Sequence, residues 1–168
     1  MGAGVTALDH HLVSDAPHRI FLGGLPPRWE DVPARVVVNL CGVWPRGEPY
    51  GRVCFAMPLV DAIDPDVVPS QLAVERFLAA IHLYASEHDT YWHCHAGINR
   101  SSFVLAAYLH LYRGMRISAA IAQLRERRSS LVLCNHEFEG ALRGWYGGPD
   151  ELEYERTPVR EWLAVSRE

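Results

Sequence analysis

Between Asn99 and Arg113, apolar side chains (Phe103, Val104, Leu105, Tyr108, Leu109, Leu111) fall on nearly every side of a helical wheel. A helix with one apolar stripe can lie on a surface, but a helix that is apolar nearly all round has to be covered on several sides. The chain therefore needs a layered core with this helix at its centre. What feeds the helix narrows the choice further. TYWHC (Thr90–Cys94) reads as a short strand, and the chain turns from it directly into the helix through a loop carrying Gly97. Gly114 then supplies the stop.

Three further stretches read as strands: RIFLGG (Arg19–Gly24), ARVVVNL (Ala34–Leu40) and RVCFAMPLV (Arg52–Val60). The valine run is typical of a strand covered on both faces. Helical spacing returns from Ser70 to Ser86, where Val74, Phe77, Leu78, Ile81 and Tyr84 share a side. Ser118 reads as the cap of a helix over Ala119–Arg128. Asn135 reads as the cap of another, with Phe138, Leu142 and Trp145 on one face. Strands first, then strand–helix alternation, predict an α/β fold. The expected architecture is a single domain with a central, mostly parallel sheet of four or five strands flanked by helices. In it the loop at 93–101 joins the last core strand to the buried helix. A length of 168 residues, 49% of them hydrophobic, suits one core and not two. The expected organisation is a polar, poorly ordered lead-in over 1–18, the domain over 19–146, and an extension over 147–168. In that extension Thr157 and Pro158 would open a last short helix.

The net charge of −4 is mild, and no basic run resembles a nucleic-acid footprint. Arg125, Arg127 and Arg128 fall at the end of a predicted helix, where cations complement the dipole. All 16 basic residues are arginine; with the many Ala, Pro and Gly this points to GC-rich coding and a bacterial or bacteriophage source. The four cysteines form no CxxC pair, and neither a signal peptide nor a long apolar span is evident. A cytoplasmic protein with no membrane segment is expected. His10 and His11 read as solvated histidines of the lead-in, not as metal ligands.

A loop running from a buried strand into the N-terminus of a buried helix is an anion site. Its free backbone N–H groups converge, and the helix dipole favours negative charge. Gly97 lets successive amides point at one centre. Arg100, in the first helical turn, reaches back to grip two oxygens of a tetrahedral oxyanion. Cys94, at the strand's end, lies where the same positive environment favours a thiolate. Expelling an alkoxide or phenoxide from phosphorus also needs a general acid. PLVDAIDPD offers Asp61, Asp64 and Asp66 just after the third strand, on the carboxyl-end side of the sheet where α/β sites gather. Turn and cap aspartates are the competing reading, and one functional residue among the three is expected. His93, Cys94 and His95 do not suit a metal ion, because adjacent strand residues point to opposite faces. Cys41, Cys54 and Cys134 read as buried structural cysteines.

HCHAGINRS (His93–Ser101) resembles the His-Cys…Arg-Ser signature of the cysteine-dependent protein phosphatases, and the size and order of the chain resemble their dual-specificity branch. RIFLGG is similar to that family's opening strand, VVVNL to an early core strand, and Met57–Asp61 to the strand leading into its general-acid loop. The likeness covers residues 19–146. It implies that Cys94 attacks phosphorus and forms a phosphocysteine, and that Arg100 binds the phosphoryl oxygens. It further implies that Asp61 protonates the leaving group and then activates water, with Asp64 as the alternative acid. Ser101 would steady the thiolate and His93 would orient the loop through hydrogen bonds. His95, Ala96, Gly97, Ile98 and Asn99 would surround the phosphate together with Arg100, Asn99 bracing the loop from within. No metal or cofactor is implied, since backbone amides and Arg100 supply the electrostatics.

The implied substrate is a protein or peptide phosphorylated on Tyr, Ser or Thr. Phosphoinositide phosphatases of the superfamily tend to carry loop lysines; His95, Ala96 and Ile98 stand there instead, which disfavours a highly anionic headgroup. The Gly-x-Asn-Arg form also resembles cysteine-type RNA 5′-triphosphatases, so an RNA or nucleotide 5′-phosphate is an alternative. A phosphoprotein-binding module without catalysis is the alternative from another class. Such modules typically lack the cysteine, the arginine or the acid, and this chain has all three.

Overall fold

Val36, Val37 and Val38 are fully buried, and the topology gives the reason: their strand has neighbours on both sides and cover on both faces. In the computed structural model, which describes residues 9–148, the strands are β1 (His10–Ser14), β2 (Ile20–Gly23), β3 (Val36–Asn39), β4 (Val53–Ala56) and β5 (Thr90–His93). The helices are α1 (Gln71–Ala85), α2 (Arg100–Arg113), α3 (Ile117–Arg127) and α4 (His136–Tyr146). One sheet runs in the order β1-β2-β5-β3-β4. All pairs are parallel except β1 with β2.

Side chains alternate across the sheet and build two unequal cores. Ile20, Leu22, Val38 and Trp92 point to the larger one, where Val74 of α1, Phe103 of α2, Ile121 of α3 and Phe138 of α4 all pack. Phe21, Val37 and Tyr91 point to the smaller one, closed by Trp29, Val32 and Ala34 of the β2–β3 connection. Helix α2 is buried without a break from Ser101 to Leu109, as its all-round apolar pattern predicts. Only towards its end does Leu111 emerge, 39% exposed. Gly114 closes α2 in the left-handed conformation, φ 67°.

Three expectations are corrected. Residues 10–14 are not a loose lead-in: they form the edge strand β1, with Val13 buried and its carbonyl accepting a hydrogen bond from Gln123 Nε2 at 2.9 Å. One inward side chain in HHLVS is too weak a pattern to announce a strand. Helix α3 starts at Ile117, ahead of Ser118, with Arg116 as N-cap and no side-chain capping bond; complete burial of Ile117 fixes the start where capping chemistry does not. Cys54 is exposed, because β4 is an edge strand with alternating burial. The helix expected to open at Thr157 lies outside the described residues.

Arg125 does more than complement a dipole. Its Nη2 lies 2.7 Å from Oε2 of Glu139, which is 1% exposed, and Arg143 Nη2 lies 2.8 Å from Oε1. This ion triad, centred on the buried Glu139, ties α3 to α4. No helix of the described residues is long and apolar enough to cross a membrane.

The parallel pairings place Asn39 beside His93 on one side and Ala56 on the other. The loops leaving β3, β4 and β5 therefore open at one edge of the sheet, which is where the sequence put its chemistry.

Candidate active site

For the N–H groups of a loop to face an anion, its carbonyls must face away and find partners elsewhere. Three different elements supply those partners. His95 O accepts from Leu25 N at 2.9 Å, and Ile98 O accepts from Leu133 N at 3.0 Å. Ala96 O accepts from Arg128 Nη2 at 2.7 Å. Leu133 adopts a left-handed φ of 59° with its side chain fully buried, a conformation costly for a branched residue. It closes the turn that delivers this N–H. Arg128, its side chain only 6% exposed, is itself held by Asp9, the same Nη2 donating to Oδ2 at 2.8 Å. The hydrogen bond from Arg128 keeps the Asp9 carboxyl below the usual carboxylate range.

Gly97 is required twice over. Its φ is +67°, and a Cβ added there would run into the backbone of Gly23, inside contact of the carbonyl carbon and oxygen and 2.9 Å from Cα. The loop is thus pressed against the end of β2. Within it Cys94, 2% exposed, receives two donors at sulfur: Gly97 N at 3.2 Å and Ser101 Oγ at 3.4 Å. Both arrangements suit a sulfur that carries negative charge.

Asn99 is the N-cap of α2 but makes no side-chain cap bond, so the first turn keeps its N–H groups uncapped at the cradle. The Asn99 side chain turns elsewhere, to Asp61 Oδ2 at 3.2 Å and to the N–H of Asn135 at 3.1 Å. The Cys134 thiol also lies 3.5 Å from Asn99 Oδ1; burial pushes that thiol up to about 11, leaving it a neutral donor.

Arg100 reaches back along the acid loop. Nη1 donates to Leu59 O at 3.4 Å and Nε stands 3.9 Å from Asp61 Oδ2. Nε has no hydrogen-bond partner among the described residues, a donor available to an oxyanion. Asp61 is 19% exposed and its other oxygen accepts from Asn135 Nδ2 at 2.9 Å. Asp64 is placed differently: it is exposed, and its carboxylate accepts from Asp66 N at 2.9 Å to cap the turn Pro65–Val67. The structure brings Cys94, Arg100, Asn99, Ser101 and Asp61 together and leaves Asp64 and Asp66 outside.

His93 is fully buried, and desolvation drops its pKa to about 4, so the ring is neutral at pH 7. Nδ1 approaches Cys94 O at 3.4 Å and Nε2 has no partner among the described residues. The ring stacks on Tyr91 and meets the edge of Trp44. His95 is exposed at the rim, Ala96 half-buried, and Ile98 buried. Asn39 shapes the neighbouring loop, accepting from the N–H groups of Cys41 and Gly42 at 2.9 Å and donating to Val43 O at 2.8 Å. Among the described residues no group of three or more His, Cys, Asp or Glu side chains is placed to hold a metal ion.

The family model described as dual specificity phosphatase, catalytic domain, matches residues 52–147, more than half of the chain. The chain belongs to the dual-specificity phosphatase family. The matched segment holds β4, the acid loop, β5, the cradle and all four helices; β1 to β3 complete the same sheet ahead of it. Among curated members, the phosphatidylglycerophosphate phosphatase PTPMT1 of Arabidopsis thaliana is 28% identical over 137 residues, 76% of this chain and 40% of that protein. The tyrosine-protein phosphatase yvh1 of Schizosaccharomyces pombe is 35% identical over 71 residues, 42% of this chain and 21% of that protein. The chain thus spans two fifths or less of these relatives' length. The crystal structure of human DUSP28 superposes with a TM-score of 0.65 at 21% identity, covering 82% of this chain and 93% of that one. This dual-specificity phosphatase domain therefore shares the family's fold, a five-stranded, mostly parallel sheet flanked by four helices.

Several site residues were not singled out in the sequence. Arg128 read as a dipole partner, Asp9 lay in the supposed lead-in, Leu133 carried no signal, and Asn135 read only as a helix cap.

Proposed function

We propose that this domain hydrolyses phosphomonoesters through a phosphocysteine intermediate. The observation that carries the reading is the pair of donors on Cys94 Sγ within a loop whose carbonyls at residues 95, 96 and 98 are bonded to other elements. In the first step the sulfur attacks phosphorus and the ester P–O bond breaks; the departing oxygen takes the proton of Asp61. Arg100 and the loop amides hold the phosphoryl oxygens through the transition state. In the second step water attacks phosphorus while Asp61, now a carboxylate, takes its proton. The S–P bond breaks, and the Ser101 hydroxyl stabilises the departing thiolate.

A side chain of a protein or peptide phosphorylated on Tyr, Ser or Thr is the substrate class of this reading. A second reading, a phospholipid monoester, is favoured by exposed apolar residues on the loops that open beside the cradle: Val43, Trp44 and Val60 are 42, 38 and 59% exposed. The Arabidopsis relative's name, phosphatidylglycerophosphate phosphatase, points the same way. An RNA 5′-phosphate fits less well, for want of a basic surface in a chain of net charge −4.

The test is hydrolysis of p-nitrophenyl phosphate, with EDTA present, by the wild type and by Cys94→Ser. Turnover in the first and none in the second supports the reading. Equal turnover in both sinks it, and no turnover in either with phosphopeptide binding intact points to a binding module. Competition between a phosphotyrosyl peptide and phosphatidylglycerophosphate vesicles then separates the two substrate classes.

A further inference from the structure

We propose that Asn135, at the start of α4, is a positioning residue for the general acid. With Asn99 it forms a two-amide clamp that fixes the carboxyl of Asp61 in front of Arg100. The inference rests on the phosphatase reading above, in which Asp61 gives the leaving group its proton.

Each oxygen of Asp61 meets a different asparagine. Oδ1 accepts from Asn135 Nδ2 at 2.9 Å, and Oδ2 accepts from Asn99 Nδ2 at 3.2 Å. The two asparagines are themselves joined, Asn99 Oδ1 accepting the N–H of Asn135 at 3.1 Å. Asn135 Nδ2 also donates to Ala62 O at 3.0 Å. Residues 60–63 form no helix or strand, so these bonds anchor an irregular segment to a helix end. Both asparagines are buried, Asn99 1% and Asn135 0% exposed. Water cannot replace the partners of such amides, and losing one leaves a buried polar group unmade.

Helix capping does not account for this geometry. Asn135 caps α4 through its oxygen alone, which accepts from Glu137 N at 3.1 Å; the amide nitrogen is not needed for the cap and goes to the acid loop. Asn99 forgoes capping of α2 altogether and its side chain serves the same carboxyl. Both choices spend helix-terminal side chains on Asp61.

The two bonds divide the work. In a protonated carboxyl one oxygen carries the O–H and accepts only weakly, while the other remains the stronger acceptor. Oδ2 carries the longer bond and lies on the Arg100 side of the carboxyl, 3.9 Å from Nε; in the proposed clamp it is the oxygen that passes its proton to the leaving group. Oδ1, on the shorter bond to Asn135, is the anchor that keeps the carboxyl aimed while Oδ2 reacts.

Asn135→Ser keeps an oxygen for the α4 cap and removes the donor to Asp61. Asn135→Asp keeps the cap and the shape but opposes Asp61 with a second carboxylate. Each variant is assayed on p-nitrophenyl phosphate, whose leaving group departs readily, and on phenyl phosphate, whose leaving group needs the proton. The ratio of the two kcat values is expected to rise about tenfold in Asn135→Ser, and more in Asn135→Asp, from misplacement of the acid. In an Asp61→Asn background Asn135→Ser is expected to leave the ratio where Asp61→Asn already puts it. Thermal melts check that the variants are folded. An equal fall on both substrates, no change on either, or an effect that persists in Asp61→Asn overturns the clamp. If Asp61→Asn itself leaves the ratio of wild type, the acid assignment fails, and the clamp with it. If Asp61→Asn raises the ratio and Asn135→Ser does not, the clamp alone fails.

Discussion

Replacing Gly97 by alanine is expected to damage stability and turnover together, for reasons that can be worked from two backbones. Residue 97 sits at φ +67°, where an L side chain costs about 1–2 kcal/mol. The new methyl would lie inside contact of the Gly23 carbonyl and 2.9 Å from its Cα, whereas carbon atoms pack comfortably at about 3.5–4.0 Å. Neither side of that contact is a flexible side chain, so the loop and the end of β2 must part by roughly 1 Å, at an overpacking cost of about 1–3 kcal/mol. A total near 3 kcal/mol lowers the melting temperature of a chain this size by about 6–12 °C. The same displacement moves the amides and the Cys94 sulfur off the phosphate, and a shift of about 1 Å costs about 100-fold in rate. Thermal melts and kcat/KM for p-nitrophenyl phosphate measure the two effects. A variant that melts within a degree or two of wild type and keeps half its activity would refute the argument that the loop is pressed on β2.

The remaining expectations concern single groups. Asp61→Asn should lower kcat about 10²–10³ for leaving groups that need a proton, while Asp64→Asn should leave it near wild type; the reverse result in the same assay contradicts the acid assignment. Arg128→Met strips Ala96 O of its donor and should cost about 1–3 kcal/mol of stability, with weaker inhibition by inorganic phosphate, read from melts and an inhibition constant. Burial pushes the His93 pKa down to about 4, against about 6.5 for an exposed imidazole. Between those values the unfolded chain binds the proton and the folded one does not, so stability falls as pH falls from 6.5 to 4. The loss attributable to His93 is about 3 kcal/mol, and denaturant titrations across that range should show a shallower acid dependence in His93→Asn.

What the sequence disclosed depended on how local the cause was. The buried character of α2, the valine strand, the Gly114 stop and the spacing of Cys94, Gly97 and Arg100 each rest on neighbouring residues, and all were legible. The supports of the cradle are not local. Arg128 lies 32 positions from Ala96 and 119 from Asp9, and nothing near it in the chain distinguishes it from Arg127. Leu133 takes a left-handed φ that its residue type argues against. Asn135 announced its cap correctly, yet its second donor, towards a carboxylate 74 positions away, has no local signature. Strand β1 was hidden for an energetic reason: an edge strand with a single buried side chain owes its place to its partner strand and to Gln123 and Arg128, not to its own pattern.

The most direct test of the account is to quench wild-type protein with acid during turnover of a phosphotyrosyl peptide or p-nitrophenyl phosphate and map any covalent adduct by mass spectrometry. The mass of one phosphoryl group is expected on the peptide containing Cys94, absent from Cys94→Ser and more abundant in Ser101→Ala, where breakdown is slowed. Turnover with no adduct on Cys94 under any quench, or an adduct on another residue, would contradict it.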